Sequence, residues 1–255
     1  MRMRSLAAAA LGLVMSACAS GQDPSLWQGY ADHPEGYLVA NSDFEALAFL
    51  PPPPEDGSLR AQNDLAVYRA TRTMKGQARW AQATADAEIV TPSAPEVFSE
   101  ALGARFDPSR TPTLALLLGR THADLEMIQA SAKARYARPR PFVSEPADIC
   151  VEAAPWLTES GSYPSGHAAM GWAWALILAE LAPDRAEAIL TRGLAYGDSR
   201  TICGVHYVSD VEAGRLVGAA LVARLLADPA FRRDLKRAQI EWRRSCLQPA
   251  SVIAP

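Results

Sequence analysis

Nowhere in the 255 residues do about 20 apolar side chains follow one another, so no internal segment reads as a bilayer-spanning helix. Positive charge is not in excess either. The 25 Lys+Arg against 28 Asp+Glu give a formal net charge of −3, which argues against a nucleic-acid binder with a broad basic field. Cysteines number only four, and their spacing fits no zinc pattern. Alternating β-branched stretches are nearly absent, which speaks against a sheet-based fold. What remains is 49% hydrophobic and 21% charged, the mix of a globular protein. Disorder throughout is excluded on that composition, and the length suits one domain, or two small ones, with a sizeable core.

The first residues form a separate unit. Arg2 and Arg4 precede a short apolar run from Leu6 to Met15, and small residues follow at 16–20. This is the pattern of a secretory signal peptide over 1–17, too short to act as a stop-transfer helix. Met15-Ser16-Ala17-Cys18 also resembles a bacterial lipobox, with Cys18 as the lipidated residue. Two processing readings therefore stand, lipidation at Cys18 and plain cleavage after Ala19. Starting at Cys18 removes Arg2 and Arg4 and no acids, which leaves 23 cations against 28 acids, or −5. The expected location is the periplasm, where a disulfide among Cys150, Cys203 and Cys246 can form. Three cysteines allow three single pairings.

Residues 18–48 read as a tether and irregular lead-in, 49–245 as one catalytic domain and 246–255 as a tail. Leu50-Pro51-Pro52-Pro53-Pro54 must be extended, because each proline fixes φ and pushes its predecessor out of the helical region. Helical patterns follow over 63–85, 96–102, 113–136, 168–181, 185–196, 207–227 and 229–242. The strongest is 113–136, with Leu114, Leu118, Thr121, Leu125, Ile128 and Ala132 at steps of three and four. The span 168–181 is apolar nearly all round and should be buried, and a loop is expected over 142–164. The fold class is all-α, with six to eight helices and no internal repeat.

Three short stretches carry the chemistry. The first is Lys133 with Arg140-Pro141, the second Pro164-Ser165-Gly166-His167, and the third Ser199-Arg200, His206 and Asp210. Each has a bland explanation alone. Lys133, Arg135, Arg138 and Arg140 read as a solvated basic helix end. The second stretch reads as a turn that starts a helix, although free N–H groups at a helix N-terminus also favour an anion. His206 and Asp210, four apart, would share one face of a helix. There the carboxylate could accept the Nδ1 proton and leave Nε2 as the free lone pair.

Together, in this order, the eleven positions match the signature of the type-2 phosphatidic acid phosphatase superfamily, which also contains vanadium haloperoxidases. Within it the chain resembles the bacterial class A non-specific acid phosphatases. That likeness is carried by Gly161-Ser162-Tyr163, by Leu50 with its four prolines, and by Ile202-Cys203-Gly204, over roughly residues 50–242. Ala168 departs from the class, which usually has Thr there, and so removes a hydroxyl at the helix start.

The resemblance implies the compact multi-helix fold of that superfamily and these roles. His206 is the nucleophile, Asp210 its orienting carboxylate and His167 the general acid and base. Lys133, Arg140, Arg200, Ser165 and Gly166 bind the phosphate of a small-molecule monoester. No cofactor or metal is implied, and a homo-oligomer is common in the class. Cys203 lies between Arg200 and His206, and its expected role is a disulfide to Cys150 rather than a second nucleophile. His33 is assigned no role. His122 is read as a surface or core residue away from Lys133. Competing readings are a vanadate-dependent haloperoxidase, a membrane lipid phosphatase and a phosphate-binding lipoprotein.

Overall fold

A computed structural model describes residues 34–38, 44–89, 91 and 93–247. Residues 1–17, read from the sequence as a signal peptide, lie outside these residues, as do Cys18 and His33. Among the described residues every regular element is helical. Ser58 caps α1 (Leu59–Arg72) by accepting from the Ala61 N–H. α2 (Ala78–Ala85) follows after a turn. The single helix expected over 63–85 is thus two. Gly76, at φ 83°, sits in that turn in a conformation an L-residue rarely adopts. A 3₁₀ turn over Ala94–Phe98 leads into the short α3 (Ser99–Leu102).

α4 (Pro112–Tyr136) opens on a proline at a position that needs no N–H, and its last carbonyls are turned off by Ala137 in the left-handed region. Its N-terminus is capped from outside the helix, since the Glu241 carboxylate accepts from Thr113 N and Leu114 N at 3.1 and 3.0 Å. The expected loop over 142–164 contains two helical turns, α5 (Pro141–Ser144) and α6 (Pro155–Glu159), each begun by proline. α7 (Gly166–Leu181) is buried nearly all round. α8 (Ala186–Cys203) runs well past the expected end at 196, so that Ser199 and Arg200 lie on it. α9 (Val208–Leu226) and α10 (Pro229–Leu247) complete the chain.

α7 is the central rod, with α8 and α9 packed along it and α4 joined to it and to α10. Glycines set the α7–α9 distance. A Cβ on Gly214 would stand 2.4 Å from the Ser165 carbonyl oxygen, and one on Gly218 2.3 Å from that of Ala169. The same approach lets Ser165 N donate to the Asp210 carbonyl at 3.0 Å, which joins the starts of the two helices.

Two further ties hold the end of α8. Cys150 and Cys203 form a disulfide, and Arg72 donates to the carbonyls of Thr201 and Ile202. Residues 34–38 and 44–48, read from the sequence as lead-in, belong to the packed body. Tyr37, Leu38 and Ala46 are buried, and Tyr37 N and Leu38 N both donate to the Asp124 carboxylate at 2.9 Å.

Gly214→Ala and Gly218→Ala are each expected to lower stability by about 1–3 kcal/mol, the cost of overpacking a tight contact. Gly214→Ala should also depress kcat, because it pushes on Ser165, whereas Gly218→Ala should leave kcat near wild type. Urea midpoints and turnover of an aryl phosphate check both. Equal kcat in the two variants would show that the Ser165 contact does not matter to turnover.

Candidate active site

The three signature stretches meet where α4 ends and α7 and α9 begin. Lys133, in the last turn of α4, donates Nζ to the carbonyls of Pro164 and Gly161 at 2.8 and 3.3 Å. Arg140 is the N-cap of α5. It donates to the Ser160 carbonyl and hydroxyl and to the Val205 carbonyl, and its Nη1 lies 2.9 Å from His206 Nε2. Arg200 is 2% exposed, and its Nε and Nη1 have no hydrogen-bond partner among the described residues. None of the three touches a carboxylate of the described residues. Burial, with the neighbouring Arg140, pushes Lys133 down to about 8. Burial also lowers Arg140 and Arg200, each to about 10, with Arg200 adding to the effect on Arg140.

His206 precedes α9. Its partners fix the tautomer: the Ser162 carbonyl, 2.9 Å from Nδ1, can only accept, and the Arg140 guanidinium can only donate. Nδ1 therefore carries the proton and Nε2 the lone pair. Burial first, then Arg140, Lys133 and Arg200, hold the imidazole well below its usual pKa.

The expected direct bond from Asp210 is not made. His206 lies outside the helix, so the two side chains do not share a helical face, and Asp210 Oδ2 stays 3.7 Å from Nδ1. Asp210 instead accepts from the Ser162 hydroxyl at 2.5 Å, from Tyr207 N at 2.8 Å and from Arg138 at 2.6 Å. The carboxylate thus positions His206 through Ser162, whose hydroxyl it holds and whose carbonyl takes the imidazole proton. Burial raises the Asp210 pKa against the pull of Arg138, Ser162 and Tyr207.

Arg138 corrects a second expectation. It is no solvated helix end. Its guanidinium bridges Asp210 and Asp64 and lies 4.1 Å from the Tyr207 ring centroid. Asp64, on α1 and 1% exposed, also accepts from Ser209 N and Oγ.

His167, in the first turn of α7, donates Nε2–H to the Ala87 carbonyl at 2.9 Å, which leaves Nδ1 as its second ring nitrogen. Burial, and then Arg200, drive its pKa well below normal. A second buried network fixes that carbonyl. Asp86, beside Ala87, binds Arg192 and the Ser199 hydroxyl, and Arg79 donates to the same hydroxyl. Signature Ser199 therefore acts by anchoring the end of α2. Ser165 caps α7 by accepting from Ala168 N, so the alanine at 168 still supplies the capped N–H.

A cleft of about 590 Å³ leads from His167, His206, Lys133, Arg140 and Gly166 to Glu126, Gln129, His122 and the exposed Trp156. His122 is buried in this wall, about three turns of α4 before Lys133, with Nε2 3.6 Å from Glu126; of the two places the sequence allowed it, surface or core, it takes the second. Helical spacing could have shown it: 122, 126, 129 and 133 lie on one face. Asp64, Asp86 and Arg192 carried no such signal. Among the described residues no group of three His, Cys, Asp or Glu side chains could hold a metal ion.

Buried cations without carboxylate partners among the described residues, set around a neutral imidazole, could hold a phosphoryl-type oxyanion. The PAP2 superfamily model matches residues 114–234. A non-specific acid phosphatase of Providencia stuartii is 40% identical over 212 residues, 82% of this chain and 86% of that one. An acid phosphatase of Zymomonas mobilis is 38% identical over 232 residues, 91% and 88% of the two chains. A non-specific acid phosphatase of Salmonella typhimurium is 40% identical over 203 residues, 79% and 80%. A transmembrane PAP2 type phosphatidylglycerolphosphate phosphatase of Bacillus subtilis aligns with a TM-score of 0.47 at 18% identity, covering 70% of this chain and 87% of its own. The chain belongs to the PAP2 superfamily, among its acid phosphatases. No helix of the described residues is long and apolar enough to cross a membrane.

Asp64→Asn keeps an acceptor for Ser209 and removes the charge that shares Arg138. It is expected to lower kcat roughly 10- to 100-fold through misplacement of His206, with KM little changed. Steady-state kinetics beside a thermal melt check this. Unchanged kcat in a folded variant would mean that Asp210 holds Arg138 without help.

Proposed function

We propose that this acid phosphatase is exported and hydrolyses phosphate monoesters of broad specificity through a phosphohistidine on His206. The observation that carries the reading is the neutral His206 Nε2 at the edge of a buried cationic cage in which Arg200 has N–H groups to spare. In the first step Nε2 attacks phosphorus, the ester P–O bond breaks, and His167 gives its proton to the leaving alcohol oxygen. In the second, water loses a proton to His167 and attacks phosphorus, and the P–N bond breaks to release phosphate. Lys133, Arg140, Arg200, the Ser165 hydroxyl and the Gly166 N–H would bind the non-bridging oxygens. To do so Arg140 turns its Nη1–H from the lone pair onto an oxygen. Three cations and the N-terminus of α7 supply the charge stabilisation, so no step calls for a metal.

The cleft supports tolerance of varied leaving groups, since beyond the cage it offers a wide wall with an exposed Trp156. Export is supported by the 1–17 pattern and by the Cys150–Cys203 disulfide, which suits an oxidising compartment. Lipidation at Cys18 is the second form this export can take.

The pH behaviour follows from the cage. His206 has a depressed pKa, so it stays neutral and competent in acid. His167 is depressed by the same cations, and a bound phosphate dianion offsets them and restores its proton. The expected profile is a bell with an acidic optimum. Lys133 loses its charge as pH rises through about 8, so KM should rise above that pH while the arginines stay charged. A KM flat from pH 6 to 9.5 would contradict the assignment of Lys133.

His206→Ala should abolish turnover of a chromogenic aryl phosphate, and EDTA should leave the wild type active. Rapid acid-free quenching with labelled substrate should trap an acid-labile phosphoprotein in the wild type only. A trapped label that survives in His206→Ala would move the nucleophile elsewhere. Peroxide-dependent bromination with added vanadate would favour the haloperoxidase reading.

A further inference from the structure

α10 carries a charge separation that the catalytic reading does not use. Phe231, Leu235, Ala238 and Trp242 form its buried stripe. On the opposite side Arg233, Arg237, Ile240 and Arg244 recur at steps of four, three and four, flanked by Arg232, Lys236 and Arg243. All six cations are exposed. The helix has two acids, and both are turned inward and engaged: Asp234 with Arg120 and the Tyr37 hydroxyl, Glu241 with the first N–H groups of α4. Among the described residues Arg233, Lys236, Arg237, Arg243 and Arg244 form no ion pair. A chain of net −3 thus concentrates six cations on one outer helical face. Ile240, 45% exposed, sits in the middle of it.

The N-terminal chain arrives at this helix. Tyr37 packs edge-on against Phe231 at 5.2 Å and donates to Asp234, and the carbonyls of Glu35 and Gly36 accept from Arg120, so the described chain begins within a few residues of α10, at residue 34. Only residues 19–33 separate it from Cys18, a reach of at most about 55 Å. The catalytic cage is at the other end of α4, since Lys133 is in its last turn and Glu241 caps its first.

We infer that the outer face of α10 is a docking surface for an anionic lipid bilayer, on which Arg233, Arg237 and Arg244 meet lipid headgroup phosphates and Ile240 enters the headgroup layer. Charge complementarity supplies the attraction and the place of chain entry supplies the geometry. The contacts of residues 35–37 with Arg120, Asp234 and Phe231 bring the chain in beside the helix that carries this face. Docking there leaves the cleft open to soluble substrate. The inference does not depend on the phosphohistidine mechanism.

The test uses the chain from residue 18 with Cys18→Ser, so that neither the apolar 1–17 stretch nor an acyl group contributes, and follows co-sedimentation with vesicles. Vesicles of phosphatidylcholine with 30% phosphatidylglycerol should bind it at least ~10-fold better than pure phosphatidylcholine, and binding should fall steeply between 50 and 300 mM salt. Arg233→Glu/Arg237→Glu/Arg244→Glu should lose that binding with acid phosphatase activity unchanged, which also shows the variant is folded. Ile240→Ser should weaken binding without altering its salt dependence. Equal binding to the two vesicle types, or full binding by the charge-reversed variant, would overturn the proposal. So would a preference for a soluble polyanion such as heparin over the phosphatidylglycerol vesicles.

Discussion

Three cations lie inside the protein with no carboxylate of the described residues in contact, and much of the architecture answers to that. Burying Lys133, Arg140 and Arg200 removes their hydration, and the lowered pKa of each records the cost. Backbone carbonyls from 160, 161, 164 and 205 take up N–H groups of Lys133 and Arg140. They supply dipoles and no neutralising charge. Glu126 acts on Lys133 from the wall of the cleft, and three acids behind the cage belong to other arginines: Asp210 and Asp64 to Arg138, Asp86 to Arg192. If those acids reached the cage they would fill the place an anion takes. Held one layer back, they orient the site without quenching it.

That arrangement requires rigid walls, because the carbonyls come from loops. Gly214 and Gly218 bring α9 against α7, so the backbone at Ser165 is tied to that at Asp210. On the other side the disulfide and Arg72 clamp the end of α8 to the loop that becomes α6 and the Gly161–Ser162 turn. Leu157, Ile202 and Val205 with Ala83 form a small apolar cluster under that loop. A loop of uncertain path would place four carbonyls imprecisely, and a buried cation with a misplaced acceptor is costly.

The sequence shows the groups that face the substrate and hides the groups that hold them. Lys133, Arg140, His167, Arg200 and His206 sit at fixed spacings because each occupies a helix end whose local geometry the motif encodes. Asp64 has no such signature. It lies on α1, 74 residues before its partner Arg138 and 145 before Ser209, and only the packing of α1 against α9 makes it part of the site. Arg138 was hidden by its neighbours, since a run of basic residues at a helix end has an ordinary solvated reading. The helices were legible from period and proline. The break at Gly76 was not, because a lone glycine among good helix formers is a weak stop signal, and here the stop is enforced by how α1 and α2 each pack on α8. Likewise the burial of Tyr37 and Leu38 depends on Asp124 of α4, which nothing local to them announces.

One field therefore sets both halves of the proposed acid–base pair, and it sets them in the same direction. A nucleophile profits from cations that keep it unprotonated, while a general acid suffers from them. His206 and His167 share the burial and the arginines that depress them, so without an anion both favour the neutral form. A phosphate dianion changes the two unequally. Bound against Arg200 and Arg140 it cancels the field that His167 feels. Its phosphorus at the same time takes up the Nε2 lone pair of His206, which then has no proton to gain. The substrate's own charge is then what divides the roles between two similar imidazoles, and a neutral or singly charged ester would divide them less well. Mildly acidic working pH follows, low enough for the bound ester to recharge His167 and near enough to the ester's own second pKa of about 6 for it to remain a dianion.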